Sequence, residues 1–260
     1  TLSSSSAASD VYKRQVVGCF ALYGLLFQTA YAIAHQQIKT VEGDQYDVIT
    51  ISDFKALRLF LKNPNNQKYY KSFNTIQEQL KQCEQLSFAM NAGMFHLGFS
   101  PVGLYIERAK VVQPLNEHKG LGNFFLQPNG VVAWNKKQAF VLTTQQYSLQ
   151  NLKVDYATQS GPMLVIEGKI NSLFLPDSQS KKIRNGVGIR DNKLYFVISK
   201  NRVNFYNFAE FFQRNLKVEQ ALYLDGSISS LYMQENNRND QQFRMGPMVG
   251  WVDESNCAVK

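Results

Sequence analysis

Four times along this chain a short apolar run ends in a glycine turn with polar side chains beside it. The four segments are Asn91-Ala92-Gly93-Met94-Phe95-His96, Thr158-Gln159-Ser160-Gly161-Pro162, Lys181-Lys182-Ile183-Arg184-Asn185-Gly186-Val187-Gly188 and Ala221-Leu222-Tyr223-Leu224-Asp225-Gly226-Ser227. Apolar runs of this length read as short buried strands. Glycine permits a tight turn or a close approach of backbone to a ligand. Amides exposed near such turns bind anionic oxygens. The repeated design therefore calls for many short strands, with polar groups held on rigid strand ends.

The rest of the chain agrees with a strand-rich fold. Asp47–Ile51 alternates like a half-buried strand, and strand-like pieces follow at 87–90, 103–107, 123–126, 131–134 and 139–143. Pro128-Asn129-Gly130 is a turn signal that predicts a hairpin between its flanking strands. Glu167-Gly168 and Asp191-Asn192 predict two more hairpins, and Met248–Val252 a last strand. Two helices are predicted. The first covers 74–85, with Asn74 as cap, Gln77 at the capping-box position, and Ile76, Leu80 and Cys83 on one face. The second covers 204–214, capped by Asn204, with Phe205, Phe208, Phe211 and Phe212 on one face as core packing. Strands, hairpins and two helices without internal repeats give an α+β fold of one domain, with mixed or antiparallel sheets.

The N-terminal part is not expected to belong to that domain. Residues 1–15 are Ser/Ala-rich, start without Met, and read as a cloning or assembly remnant. Lys13-Arg14 precede an apolar run from Val16 to Phe27, and Ala30-Tyr31-Ala32 and Ala32-Ile33-Ala34 both fit a small-x-small cleavage site. This pattern predicts a secretory signal peptide within residues 1–34 and an exported domain over 35–260, periplasmic or extracellular. An uncleaved membrane anchor is the alternative. The apolar run is short for a bilayer span, and no later stretch is long enough for one.

About 225 residues would remain, enough for a real core. The whole chain carries a net charge of +8, and losing Lys13, Arg14 and Asp10 with the leader lowers it by one. A basic exported protein favours acidic partners such as phosphorylated glycans, anionic envelope polymers or membrane headgroups. Nucleic acid is not an expected partner, for lack of a Lys/Arg block, zinc spacing or basic helix. Cys83 and Cys257 are the two cysteines beyond the leader, and an oxidising compartment permits a bond between them. The three histidines, His35, His96 and His118, are scattered, and no Cys-x-x-Cys or His-x-x-x-His occurs. No metal site and no cofactor are expected.

Taken in order, Asn91-Ala92-Gly93-Met94-Phe95, Ser160-Gly161-Pro162, Arg184-Asn185-Gly186-Val187-Gly188 and Leu224-Asp225-Gly226 resemble the motifs of the phosphodiester glycosidase family. That family comprises exported bacterial relatives of the N-acetylglucosamine-1-phosphodiester uncovering enzyme. The resemblance covers about Asp47 to Val252. It departs from the family where Asp-Gly-Gly-Gly-Ser is usual and this chain has Asp225-Gly226-Ser227-Ile228-Ser229. Asn185 and Gly186 also stand where a small hydroxyl residue and Ala are frequent.

The resemblance implies a hydrolase that cleaves the glycosidic C–O bond of a sugar-1-phosphodiester in envelope or extracellular glycans. Such a site must bind phosphate, stabilise an oxocarbenium-like centre and position a water or nucleophile. Arg184 is the expected phosphate holder, since a guanidinium offers forked donors. Asp225 is the expected catalytic group, as base, nucleophile or electrostatic stabiliser; an ordinary Asp-Gly turn is its other reading. Asn91 completes the expected catalytic set. Gly93, His96, Glu107, Ser160, Gly161, Asn185 and Gly226 are expected at the substrate. For Glu107 the competing reading is a surface charge on a strand end, for His96 a polar loop residue, and for Lys181 and Lys182 a solvated charge run. The alternative function is a non-catalytic glycan- or phosphate-binding envelope protein on the same fold. Convergence of Asn91, Arg184 and Asp225 on one pocket separates the first reading from scattered surface residues.

Overall fold

A computed structural model describes residues 32–257. The expected signal run and the first cleavage site's Ala30 and Tyr31 lie outside the described residues. Residues 31–260 group as one unit.

Among the described residues seventeen strands form three sheets, and every paired strand is antiparallel to its neighbour. The largest sheet runs β1 (Ile33–Lys39), β2 (Gln45–Ile51), β13 (Lys193–Ser199), β12 (Asn185–Arg190), β14 (Gln220–Tyr223), β10 (Met163–Ile166) and β11 (Lys169–Ile170). The second runs β16 (Arg238–Asn239), β15 (Leu231–Met233), β4 (Gln85–Asn91), β17 (Met248–Asp253) and β3 (Leu57–Phe60). The third runs β6 (Lys110–Gln113), β5 (Tyr105–Glu107), β9 (Tyr156–Ser160), β7 (Gly130–Trp134) and β8 (Ala139–Thr143). Three short helices complete the α+β fold: α1 (Phe73–Gln77), α2 (Thr144–Ser148) and α3 (Phe205–Glu210).

The large sheet is buried on both faces, and its strands show why. In β13, Leu194, Phe196 and Ile198 join the core shared with the other two sheets, while Tyr195 and Val197 point the other way. That second face is covered by Phe208, Phe211 and Phe212 of α3 and the π-turn Phe211–Asn215 that extends it. The phenylalanine stripe is thus core packing, as its spacing indicates. Asn204 caps α3 by accepting from the Asn207 amide at 2.8 Å.

The first helix is shorter than its pattern predicts and starts earlier. Ser72 is its cap, Asn74 instead accepts a hydrogen bond from Asn239, and the chain has turned into β4 by Gln85. The stretch 123–126 is a single 3-10 turn, so Val131–Trp134 pairs forward with Ala139–Thr143 and not backward across Pro128. The Glu167-Gly168 and Asp191-Asn192 hairpins form as β10–β11 and β12–β13. Cys83 and Cys257 are joined in a disulfide across 174 residues. Among the described residues no helix is long and apolar enough to cross a membrane.

Antiparallel pairing decides where the polar strand ends meet. The start of β12 lies beside the end of β14, through Gly186 opposite Tyr223. The end of β4 lies beside the start of β15, through Met90 opposite Leu231. The loop 224–230 leaves β14 in the large sheet and enters β15 in the second sheet. It therefore crosses at the ends of both.

Candidate active site

Asp225 sits in that loop, and three of the expected residues, with Tyr223, fasten the loop from beneath. Asn91, the last residue of β4, donates from Nδ2 to the Asp225 carbonyl at 3.0 Å and accepts from the Ser230 amide at 3.0 Å. Asn185, the first residue of β12, accepts at Oδ1 from the Asp225 amide at 3.2 Å and from Ser229 Oγ at 3.1 Å. Ser160, at the end of β9, donates from Oγ to the Leu224 carbonyl at 2.6 Å. Tyr223 Oη accepts from the Gly226 amide. All three sheets thus send a residue to one seven-residue loop.

Asn91, Asn185 and Ser160 are completely buried. Both amide hydrogens of Asn91 are used within the protein, on Asn185 Oδ1 and the Asp225 carbonyl. These side chains shape the loop and do not face solvent. Gly226 must be glycine, because a Cβ there would overlap Tyr223 Oη and lie 3.0 Å from the Ile183 carbonyl. Gly93 and Gly161 lie where chains cross: a Cβ at Gly93 would be 2.8 Å from Thr158 Oγ1, and one at Gly161 2.7 Å from the Phe124 carbonyl.

Asp225 itself is only partly buried. Burial raises its pKa above the usual aspartate value, opposed by the Ser227 amide bonded to Oδ1 at 3.0 Å and by the charge of Lys182. A carboxyl held by one backbone donor beside an exposed cation is a suitable proton acceptor.

Arg184 is nearly inaccessible, at 1% exposure, and no carboxylate pairs with it among the described residues. Its Nε donates to the Val203 carbonyl at 3.0 Å, Nη2 to the Ser180 carbonyl at 2.8 Å and Nη1 to Tyr223 Oη at 3.3 Å. Its guanidinium lies 3.7 Å from the centre of the Phe205 ring. Desolvation lowers its pKa, which the neighbouring Tyr223 opposes. Tyr223 is in turn pushed up to about 12, mainly by burial. A buried unpaired cation costs stability unless something outside uses its field. Tyr223 Oη bridges the Arg184 guanidinium to the amide of Gly226, and so links that charge to the Asp225 loop.

Two expected residues lie elsewhere. His96 is exposed in the turn 96–100, whose backbone closes on itself through the Phe99 amide and the His96 carbonyl. Glu107 lines a separate cleft of about 510 Å³ with Lys62, Arg108 and Val112, and accepts from Tyr105 Oη at 3.1 Å. No cluster of three or more His, Cys, Asp or Glu able to hold a metal occurs among the described residues. The sequence reading passed over Tyr223, which looks like one more apolar strand residue, and Phe205, which shares the core stripe. It also weighed Lys182 as a solvated charge. Only its placement beside Asp225 distinguishes it.

Residues 84–250 match the phosphodiester glycosidase family. The chain belongs to this family. The match takes in all four glycine-turn motifs and the whole Asp225 loop. YigE, an uncharacterized protein of Escherichia coli K12, is 43% identical over 152 residues, 57% of this chain and 59% of that protein. The aligned part thus spans less than two thirds of this relative. Among solved structures, the fold is similar to the zebrafish N-acetylglucosamine-1-phosphodiester alpha-N-acetylglucosaminidase catalytic domain, auto-inhibited by its pro-peptide. The TM-score is 0.58 at 14% identity, over 84% of this chain and 81% of that one. It is also similar to a Burkholderia pseudomallei protein, with a TM-score of 0.50 at 10% identity over 80% and 74% of the two chains.

Proposed function

We propose that this chain is an exported hydrolase that cleaves the bond between a sugar's anomeric carbon and a phosphodiester oxygen. One observation carries the reading: residues from three sheets converge on the loop that presents Asp225, with a buried guanidinium behind it. Water adds to the anomeric carbon, the C–O bond to phosphate breaks, and the phosphate oxygen keeps the electron pair. Asp225 is the reacting carboxylate and takes the proton of the attacking water. The departing phosphate is already a good leaving group, so the site needs positive potential more than a strong acid.

Arg184 supplies that potential from beneath the loop, through Tyr223 and the Gly226 amide. Lys182 supplies it from the solvent side, within reach of the substrate's phosphate. Asn91, Asn185 and Ser160 hold the loop in register, as a reacting group needs.

The disulfide between Cys83 and Cys257 supports an oxidising compartment and hence export. Cleavage after Ala32 leaves β1 whole. Cleavage after Ala34 would remove Ile33 and Ala34, which pair with Ile51 and Thr50.

The zebrafish relative's name makes N-acetylglucosamine-1-phosphodiesters the first substrates to try. Sugar release by the purified protein, lost in Asp225→Asn, establishes the activity and the role of Asp225. Release that Asp225→Asn leaves unchanged keeps the activity and removes Asp225 from it. Phosphodiester binding without release makes the chain a binding protein.

A further inference from the structure

A cleft of about 230 Å³ opens between the β1–β2 turn and α3, and it shares no lining residue with the Asp225 loop. The turn supplies Thr40, Glu42 and Asp44, and α3 with its π-turn supplies Asn207, Glu210 and Arg214. Tyr46, fully buried, lines the cleft between them. Its ring stacks on Phe211 with centres 3.8 Å apart and also faces Phe208, so the side chain runs under α3 toward the cleft.

Two buried oxygens here, Tyr46 Oη and Thr40 Oγ1, have no hydrogen-bond partner among the described residues. A buried hydroxyl left unbonded destabilises a fold, and it marks a place that a group from outside can complete. The surrounding charges indicate the sign of that group. Burial raises the pKa of Tyr46 far above the ordinary tyrosine value, and the negative charges of Asp44, Glu210 and Glu42 raise it further. Carboxylates from both walls thus act on one buried oxygen. Asp44 is met by neutral donors, Asn201 Nδ2 at 2.7 Å and Asn207 Nδ2 at 3.4 Å. Glu210 pairs with Arg214 at 3.2 Å, but the Arg214 side chain is 69% exposed. Lys39 stands exposed at the rim, and among the described residues no ion pair joins it to these acids. Three carboxylates against two exposed cations leave the cleft negative, on a chain whose net charge is +8.

The three acids do not form a cluster able to hold a metal ion. A calcium ion needs its oxygens drawn in to about 2.4 Å. A primary ammonium instead directs three hydrogens at oxygens about 2.9 Å away, and so bridges acceptors on opposite walls. Val41, 98% exposed at the rim, offers apolar surface to an alkyl stem.

We infer that this cleft binds a primary alkylammonium group, with Asp44, Glu210 and Tyr46 Oη as its acceptors. The group belongs to a free aliphatic diamine or to a lysine side chain presented by another protein. The site stands apart from the reading of the Asp225 loop, and its test uses no hydrolysis.

The test is calorimetric titration of the protein at low salt with cadaverine, with N-acetyl-lysine methylamide and with calcium chloride. At least one amine should bind one-to-one with a Kd below about 1 mM, and the binding should weaken as salt rises. Tyr46→Phe keeps the ring and removes only the unpartnered oxygen. It should weaken amine binding about tenfold, while the melting temperature without amine stays equal or rises. Glu210→Gln, at a partly exposed position, should weaken binding by a similar factor and keeps the test open should Tyr46→Phe fold poorly. Binding of cadaverine without the lysine amide supports the site and assigns it to a free diamine. Comparable binding of the lysine amide supports it and assigns it to a partner's side chain. Absence of binding by both amines overturns the inference, as does amine binding that both variants leave unchanged. Calcium binding lost in Glu210→Gln, with neither amine bound, overturns it in favour of a metal.

Discussion

Asn91 and Asn185 bond to each other twice across 94 residues of sequence. Asn91 Nδ2 donates to Asn185 Oδ1 at 3.2 Å, and Asn185 Nδ2 donates back to the Asn91 carbonyl at 2.9 Å. The pair fastens the second sheet to the large one at the point where the Asp225 loop passes between them. Asn185→Ala would strip acceptors from the Asp225 amide and from Ser229 Oγ, and leave the Asn91 side chain half bonded. Orphaning buried polar groups in this way should cost about 3 kcal/mol in urea unfolding. Where the variant stays folded, kcat/KM should fall about a hundredfold if Asp225 is the reacting carboxylate, because its loop is no longer positioned. Unchanged stability would show that the pair does not carry the loop.

The acid limb of activity should report Asp225. A base must be ionised to act, and burial raises the pKa of this carboxyl. The rise of kcat/KM with pH should therefore centre above the ordinary aspartate value of about 4. Lys182 holds the pKa down against burial, so Lys182→Gln should move the limb to higher pH. Lys182 is exposed, and salt should shrink that displacement. A limb at the ordinary position in both proteins would count against Asp225 as the base.

Inorganic phosphate is a probe of the two cations beside the Asp225 loop. Arg184 lies buried under the loop without an acidic partner, and Lys182 stands on the solvent side. Millimolar phosphate should inhibit the enzyme competitively and raise its melting temperature. Lys182→Gln and Arg184→Met should each weaken phosphate inhibition about tenfold. Equal inhibition of all three proteins would place the phosphate elsewhere.

The strand-rich fold was legible because its hairpins are local. The β10–β11 and β12–β13 turns and the cap of α3 depend on residues a few positions apart. The site motifs were legible for a related reason: Gly226 and Asn185 are dictated by close backbone contacts, which leave a signature in residue type. Tyr223 was not legible. A strand buried on both faces shows no alternation, so nothing marks the one residue whose hydroxyl meets Arg184. The burial of Arg184 was hidden too, since a guanidinium paired to backbone carbonyls and an aromatic ring has no partner to find in sequence. The end of α1 was misjudged because the apolar spacing continues past Gln77 into a turn.

The exported protein should begin at Ile33. The strand β1 starts at that residue and pairs with β2 along its whole length, Ile33 with Ile51 through Lys39 with Gln45. Cleavage after Ala32 keeps all seven pairs. Intact mass of the secreted material should match residues from Ile33 onward with one disulfide, Cys83 to Cys257. A start at His35 would mean that the first two pairs of β1 are dispensable. A reduced mass would remove the support that the disulfide lends to export.

Glu107 makes a prediction about stability and not about catalysis. Its carboxyl is bonded to Tyr105 and lines a cleft that shares no lining residue with the Asp225 loop. Burial pushes it up to about 7, above the ordinary glutamate range, against the smaller opposing effects of Tyr105 and Arg108. The sign follows from the raised value. Below about pH 4.5 the group is neutral in both folded and unfolded chains, and its burial carries no charge penalty. As pH rises through 7 the folded protein must ionise it in place, and the stability it retained at low pH is lost. The ceiling on that loss is about 3 kcal/mol, and solvent at the cleft mouth should hold it nearer 2. Glu107→Gln keeps the shape and the acceptor for Tyr105 without the charge. It should be more stable than the parent in urea at pH 8, and the gain should vanish at pH 4. Hydrolysis of an N-acetylglucosamine-1-phosphodiester should stay within about twofold of the parent at either pH. A gain independent of pH would mean that Glu107 ionises normally in the fold, and a large loss of activity would bring it back to the reacting site.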